Sequence, residues 1–135
     1  MKNDLLDNKY REGHEFRLKK GRKVMINVRR EDGVVIVDLL THRLDASIAS
    51  SFRNKLMEII KDGNKLIILN LTNVEFVDSS GLGSIVSGLK TLGQEGDLIL
   101  CCIDERIMSM FRLTRMDRVF KIFKTEREAV RNISH

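Results

Sequence analysis

The stretch VEFVDSSGLGSIVSGLK, residues 74–90, contains the change of hydrophobic period that decides the fold. An apolar segment ends at Asp78, and two serines and a glycine follow it. Beyond them, apolar residues recur at the spacing of a helix that buries one side, namely Leu82, Ile85, Val86 and Leu89. The stretch therefore predicts a turn into a helix, with paired hydroxyls and a carboxylate where the helix begins.

The rest of the chain alternates strand patterns with helix patterns. Apolar residues that alternate or run together predict five strands, at 24–28, 34–40, 65–71, 97–103 and 119–123. Apolar residues at helical spacing predict three further helices, marked by Ile48, Phe52, Leu56 and Ile59, by Ile107, Met110 and Phe111, and by Ala129, Val130 and Ile133. In the first of these helices Arg53, Lys55 and Glu58 fall off the apolar stripe.

Turn and cap residues lie between these segments. Asp-Gly in the sequence EDG at 31–33 favours a tight hairpin, because both residues accept positive φ angles. Asp45 or Ser47 can cap the first helix. Together the signals predict an α/β fold with a central mixed β-sheet of about five strands and about four helices packed on it, the later strands being parallel. The domain is expected at 24–135, after a charged extension at 1–23, and residues 1–22 of that extension have a weak helical tendency.

The net charge of +5 is unevenly distributed along the 135 residues. Residues 1–30 hold ten Lys or Arg against four Asp or Glu, so this segment carries +6. A basic arm can bind nucleic acid, but this one contains a single tyrosine, a single phenylalanine and no base-reading motif. We therefore expect no direct nucleic-acid partner, and we interpret the segment as a solvated or partner-contacting arm.

Other composition signals bear on location and metal binding. No apolar run approaches the ~20 residues of a membrane-spanning helix, and the first residues lack the apolar core of a secretory signal. Cys101 and Cys102 are adjacent and are the only cysteines, a usage that fits a reducing cytoplasm and two thiols acting as small hydrophobes. With no second cysteine pair and no histidine cluster at ligand spacing, no metal site is predicted.

Two catalytic or nucleotide-binding interpretations of the serine stretch fail on spacing. A nucleophilic serine needs a base, usually histidine, and the turn G-x-S-x-G that would expose it is absent. The segment GSIVSGLKT, residues 83–91, resembles a phosphate-binding loop, but Leu89 separates the glycine from the lysine. We therefore predict no catalytic residue and no cofactor.

A helix cap and a phosphorylation switch remain, and they are compatible. If Asp78 or Ser79 is the N-cap, Ser80 falls in the first turn and its hydroxyl can point outward. Gly81 has no side chain to screen Ser80 from another protein. A phosphoryl group on Ser80 would meet the positive end of the helix dipole and would be repelled by Asp78. The simpler alternative is that both serines only cap the helix.

The residues around Ser80 are also part of a resemblance to a known protein family. The segment VDSSGLGSIVSGLK, with RLDASIAS at 43–50 and RLTRMDRVFKIFKTEREAV at 112–130, resembles STAS domains, and specifically the bacterial anti-sigma factor antagonists. The resemblance covers roughly residues 24–133 in order.

The resemblance implies a binding protein rather than an enzyme. Such an antagonist binds an anti-sigma factor, often a serine kinase, and so frees a sigma factor. The kinase phosphorylates the second serine, here Ser80, which ends binding, and a serine phosphatase reverses the change. The implied partner-binding residues are Asp78, Ser79, Ser80, Gly81 and Leu82, with Leu44 and Asp45 at the edge of the site. The alternative within the family is a scaffold or accessory subunit of a stress-sensing or lipid-transport complex.

Two positions depart from the family pattern. His42 stands where family members often have glycine, so a side chain there can reshape the loop beside Ser80. Arg115 also stands at a position where glycine is common, at the expected end of the third helix. A positive φ at Arg115 would either be lost or be borne at a cost of ~1 kcal/mol.

Overall fold

The computed structural model describes residues 14–17 and 23–133, which form eight strands and four helices. The strands are β1 His14–Arg17, β2 Lys23–Glu31, β3 Val34–Leu39, β4 Arg43–Leu44, β5 Leu66–Asn70, β6 Phe76–Val77, β7 Asp97–Cys101 and β8 Ile122–Phe123. The helices are α1 Ala49–Lys61, α2 Ser79–Leu92, α3 Glu105–Leu113 and α4 Glu126–Ile133.

The main sheet is mixed and has the strand order β1-β2-β3-β5-β7-β8. The pairs β1–β2 and β2–β3 are antiparallel, and the remaining three pairs are parallel. The predicted hairpin at 31–33 joins β2 to β3, with φ of 52° at Asp32 and 81° at Gly33. The predicted α/β class, mixed sheet and parallel later strands are therefore confirmed.

The sequence patterns did not predict strand β1. They predicted a weak helical tendency for residues 1–22, which is wrong for residues 14–17. These four residues are extended and pair with β2, from His14 opposite Ile26 to Arg17 opposite Lys23. The pairing supplies hydrogen-bond partners to an edge of β2 that would otherwise be open. The main sheet therefore has six strands, which agrees with the predicted mixed sheet of about five. The remainder of 1–22 lies outside the described residues, and the division at 23/24 stays a prediction.

The helices form two layers on the sheet. Helices α1, α2 and α3 pack on one face, around a core that includes Phe52, Leu56, Ile85 and Phe111. Helix α4 covers the other face through Ala129 and Ile133, which join Val34, Ile36, Ile68, Ile99 and Cys101. Burial raises the pKa of the Cys101 thiol, so this side chain stays neutral and packs as a small hydrophobe.

Two local predictions need correction. Lys55 is buried, with its side chain 2% exposed and its Nζ donating to Glu58 Oε1 at 2.9 Å. Position 55 lies three residues after Phe52 and four before Ile59, so its aliphatic stem lies on the margin of the apolar stripe. The strand predicted at 119–123 is shorter, because a 3-10 turn at Met116–Arg118 precedes it and pairing begins only at Ile122.

An ion-pair network fastens α4 to the sheet. The Arg29 guanidinium donates to both Asp38 oxygens, at 3.0 and 3.1 Å, and to both Glu126 oxygens, at 2.6 and 3.0 Å. Asn27 donates to Asp38 at 3.0 Å and Asn70 donates to Glu126 at 2.9 Å. The hydrogen bonds from Arg29, and then that from Asn70, hold the pKa of Glu126 below its usual value. Strands β2, β3 and β5 are thereby joined to the start of α4.

Arg115 retains the positive φ that a glycine would favour, with φ 62° and ψ 19° after the end of α3. We expect Arg115→Gly to raise the free energy of unfolding by about 1 kcal/mol, because the left-handed conformation crowds the β-carbon. Urea denaturation measures the change. The control is Arg118→Gly, at a neighbouring exposed position without positive φ, which is expected to lower stability. Equal effects of the two substitutions would contradict the strain at Arg115.

Candidate functional site

Asp78 is the N-cap of α2, which confirms one of the two predicted caps. Its Oδ1 accepts a hydrogen bond from the Gly81 amide at 2.9 Å, and its Oδ2 accepts one from the Ala46 amide at 3.1 Å. One carboxylate therefore satisfies a free donor of the first helical turn and also holds the loop that precedes α1. Both oxygens are occupied without any contribution from the serines.

A second, two-stranded sheet supports the same corner. Strands β4 and β6 are parallel, with Arg43 opposite Phe76 and Leu44 opposite Val77. The ladder continues as the Asp78 amide donates to the Leu44 carbonyl at 3.3 Å. The loop before α1 and the start of α2 are thus fixed relative to each other by backbone hydrogen bonds.

Gly81 is buried, and the reason for a glycine at this position differs from the predicted one. A β-carbon at Gly81 would overlap the Leu44 carbonyl oxygen and would also crowd the Leu44 side chain. Glycine is therefore required so that α2 can approach the backbone of β4. It does not serve to expose Ser80. The Leu44 side chain is fully buried as well, so both residues lie beneath the surface of the corner.

Ser79 and Ser80 are both exposed on the first turn of α2. Among the described residues, neither hydroxyl forms a hydrogen bond, whereas the buried Ser84 hydroxyl donates to the Gly81 carbonyl at 2.6 Å. Leu82 is half-buried and packs on the main core. The two exposed hydroxyls are therefore not needed by the fold in this conformation.

Asp45 lies in the loop beside this turn, but it does not cap α1. Its Oδ1 accepts hydrogen bonds from the Ser47 hydroxyl at 2.6 Å and the Ser47 amide at 3.0 Å, and its Oδ2 accepts one from Arg43 at 3.2 Å. The bonds from Ser47 and then Arg43 lower the pKa of Asp45. Ile48 occupies the N-cap position without a side-chain cap. The predicted cap by Asp45 or Ser47 is wrong, because Asp45 closes its own loop instead.

A shallow groove of about 340 Å³ runs between α1 and α2 beside Ser80. Its lining is small and polar, and consists of Ala49, Ser50, Arg53, Ser80, Gly83, Ser84 and Ser87. Close helix packing shapes it, since Gly88 lies directly against Leu56 and leaves no room for a β-carbon. Of the predicted partner-binding residues, only Ser80 lies in this groove.

The described segments, residues 14–17 and 23–133, contain neither a cluster of metal ligands nor a membrane-crossing helix. In that part of the chain no three His, Cys, Asp or Glu side chains are grouped as metal ligands would be. None of the helices found there has the length and apolarity that crossing a bilayer requires.

In the comparison to known families, the model for the STAS domain matches residues 25–129. The chain belongs to the STAS domain family. This STAS domain is 28% identical over 109 residues to an anti-sigma F factor antagonist of Paenibacillus polymyxa. That alignment covers 79% of this chain and 92% of the relative.

Solved structures of STAS domains superpose on this one. The crystal structure of a candidate anti-sigma factor antagonist from Thermotoga maritima gives a TM-score of 0.75 at 30% identity, covering 82% of this chain and 95% of that one. The Bacillus cell fate determinant SpoIIAA in its phosphorylated form gives a TM-score of 0.62 at 23% identity, covering 80% and 98%. The second likeness is one of fold.

Sequence reasoning missed three exposed residues near the serine corner of this STAS domain. Arg43 stacks over the exposed Phe76 ring, with 4.1 Å from its guanidinium carbon to the ring centroid. Arg53 lies in the groove beside Ser80. Nothing in the local sequence distinguishes these residues, because their placement depends on pairing between β4 and β6 and on packing between α1 and α2. His42, one of the two departures, is exposed, and its carbonyl accepts the Glu75 amide at 2.7 Å.

Proposed function

We propose that this STAS domain is an anti-sigma factor antagonist that acts in the cytoplasm. It binds an anti-sigma factor with serine kinase activity and so releases a sigma factor. Phosphorylation of Ser80 by that kinase ends the binding, and a serine phosphatase restores it. The domain itself catalyses no reaction in this scheme, and its partners carry the chemistry.

The observation that carries the proposal is an exposed hydroxyl at a corner that does not depend on it. Ser80 is exposed, while Asp78 makes the capping bond to Gly81 and the bond to Ala46. A phosphoryl group can therefore be added without breaking a hydrogen bond of the described fold. The relationship to the anti-sigma F factor antagonist of Paenibacillus polymyxa supports the role, and the phosphorylated form of SpoIIAA shows that the fold can carry phosphate.

The physical effect of the modification is a change of surface charge. A phosphoserine carries about −1.5 to −2 at neutral pH. At Ser80 the positive end of α2 partly offsets this charge, which lets the fold keep its conformation. A partner that has excluded water from the same corner would instead have to bury the added negative charge, which is costly. Binding is therefore expected to fall while the domain stays folded.

Neighbouring residues divide into those that contact the partner and those that position the corner. Ser79, Ser80 and the partly exposed Asp78, Asp45 and Leu82 can form the docking surface. The buried Leu44 and Gly81 act beneath it, because they set how closely α2 approaches β4.

The test is phosphorylation by the cognate anti-sigma kinase with radiolabelled ATP. Wild-type protein should incorporate one phosphate, Ser80→Ala should incorporate none, and the matched control Ser79→Ala should be labelled like the wild type. Binding is then compared between Ser80→Asn and Ser80→Asp, which are equal in size and differ in charge. We expect Ser80→Asp to bind at least tenfold more weakly, a difference of about 1.4 kcal/mol.

Two results would contradict the proposal. Labelling of Ser80→Ala at the wild-type level would place the modification elsewhere. Equal affinity of Ser80→Asn and Ser80→Asp for the anti-sigma factor, measured by calorimetry, would show that charge at this position does not control binding.

A further inference from the structure

One side chain that lines the groove beside Ser80 is positively charged, and it lies on the opposite helix. Arg53 extends from the first turns of α1, while Ser80 lies in the first turn of α2, and both line the same shallow space. The other lining residues are uncharged: Ala49, Ser50, Gly83, Ser84 and Ser87. Arg53 therefore supplies the only formal charge in the lining of this groove.

Arg53 is also one of the arginines of the described segments that no carboxylate holds. Its side chain is exposed and makes no hydrogen bond or ion pair within residues 14–17 and 23–133. By contrast, carboxylates bind each of Arg29, Arg43, Arg106 and Arg112. The guanidinium of Arg53 can thus accept a new anionic partner without giving up an existing one.

The carboxylates of the cap of α2 and of the loop before α1 are already occupied. Both oxygens of Asp78 accept hydrogen bonds from backbone amides, and Asp45 accepts hydrogen bonds from Ser47 and Arg43. A phosphate on Ser80 would offer three strong acceptor oxygens, and a guanidinium matches such oxygens with two parallel N–H donors.

From this arrangement we propose that Arg53 is the intramolecular cation that pairs with the phosphate on Ser80. The physiological role of the pair rests on the proposed function, whereas the pair itself requires only that Ser80 carry phosphate. Pairing favours the doubly charged phosphate, whose second pKa is about 6 when unperturbed. The pairing also neutralises the positive charge of Arg53, which the unmodified groove presents to a partner. The formal charge of the groove lining therefore passes from +1 to about −1.

The test uses phosphoserine inserted at position 80 during translation, so that no kinase is needed. The second pKa of the phosphate is followed by ³¹P NMR between pH 4 and pH 8 in low salt. We expect this pKa to be about 0.5 higher in Arg53→Gln than in the wild type, because the cation no longer stabilises the dianion. Arg53→Lys should recover part of the difference, and 0.5 M salt should reduce it. Asp78 and Asp45 raise the same pKa in every variant, so the difference isolates Arg53.

The matched control is Lys61→Gln, which removes one positive charge from the far end of the same helix, outside the groove. Its titration should superpose on that of the wild type. Superposition of the Arg53→Gln curve on the wild type would overturn the pairing. An equal rise of the pKa in Lys61→Gln would also overturn it, because the effect would then report net charge alone.

Failure of this inference can be told apart from failure of the proposed function. If the ³¹P shift is present but the anti-sigma kinase does not label Ser80, the pair exists and the regulatory role is wrong. If Ser80 is labelled but Arg53→Gln leaves the titration unchanged, the switch stands and the pairing by Arg53 is wrong.

Discussion

Gly81→Ala should lower the free energy of unfolding by about 3 kcal/mol, because the new methyl group would overlap the Leu44 carbonyl oxygen. The obstacle is backbone held by the β4–β6 ladder, so it cannot turn away as a flexible side chain would. Relief requires α2 to move away from β4, which would also stretch the bond that the Ala46 amide donates to Asp78. We therefore expect loss of partner binding together with loss of stability.

The chain offers a matched control two residues further along α2. Gly83 is exposed and helical, and a β-carbon there meets no atom within 4 Å. Gly83→Ala should raise stability by about 0.5–1 kcal/mol, since glycine is unfavourable within a helix. Chemical denaturation measures the free energy of unfolding of both variants. It should rise in Gly83→Ala through helix propensity and fall in Gly81→Ala through the steric clash. A Gly81→Ala protein as stable as Gly83→Ala would refute the close approach of α2 to β4.

Arg29→Met is expected to be the second large effect, with a loss of about 2 kcal/mol at pH 7. The three side chains are partly buried, with exposed fractions of 31% for Arg29, 17% for Asp38 and 27% for Glu126. Removing the guanidinium leaves two neighbouring carboxylates without the cation that both of them bind. Helix α4 should be the first element to loosen, which hydrogen exchange would detect.

This loss should depend on pH in a defined direction. The folded pKa of Glu126 is lowered, so its contribution to stability is fully present above the ordinary glutamate value of about 4.3. It is lost as the pH falls through the lower, folded value. The destabilisation by Arg29→Met should therefore be full above about pH 5 and shrink in acid. Thermal unfolding between pH 3 and pH 7 measures the trend.

The control for this pH series is Lys65→Met, which breaks an exposed ion pair with Glu95 at 2.7 Å. Solvent screens an exposed pair of this kind, so little change in stability is expected. If Lys65→Met were as damaging as Arg29→Met, the burial of the Arg29 network would not explain its effect.

Local sequence was sufficient for the four helices, for strands β2, β3, β5, β7 and β8, and for the cap of α2, but not for the short strands β1, β4 and β6. Hydrophobic period distinguishes strands from helices because each geometry repeats its buried side at its own interval. Asp-Gly at 32–33 forms the predicted hairpin turn, and Asp78 caps α2, since both depend only on residues within a few positions. The exposure of Ser80 follows from its place one residue past the start of that helix.

Tertiary structure alone decided which residues lie beneath the site and support it, and which residues lie beside Ser80 at the surface. Strand β1 exists because β2 offers an open edge, and Gly81 is required because a carbonyl distant in sequence lies against it. Arg53 shares a groove with Ser80 because α1 packs beside α2. Each of these depends on contacts between segments more than five residues apart. Such contacts form only once the chain has collapsed around a shared core, and a periodicity read along one segment does not contain them.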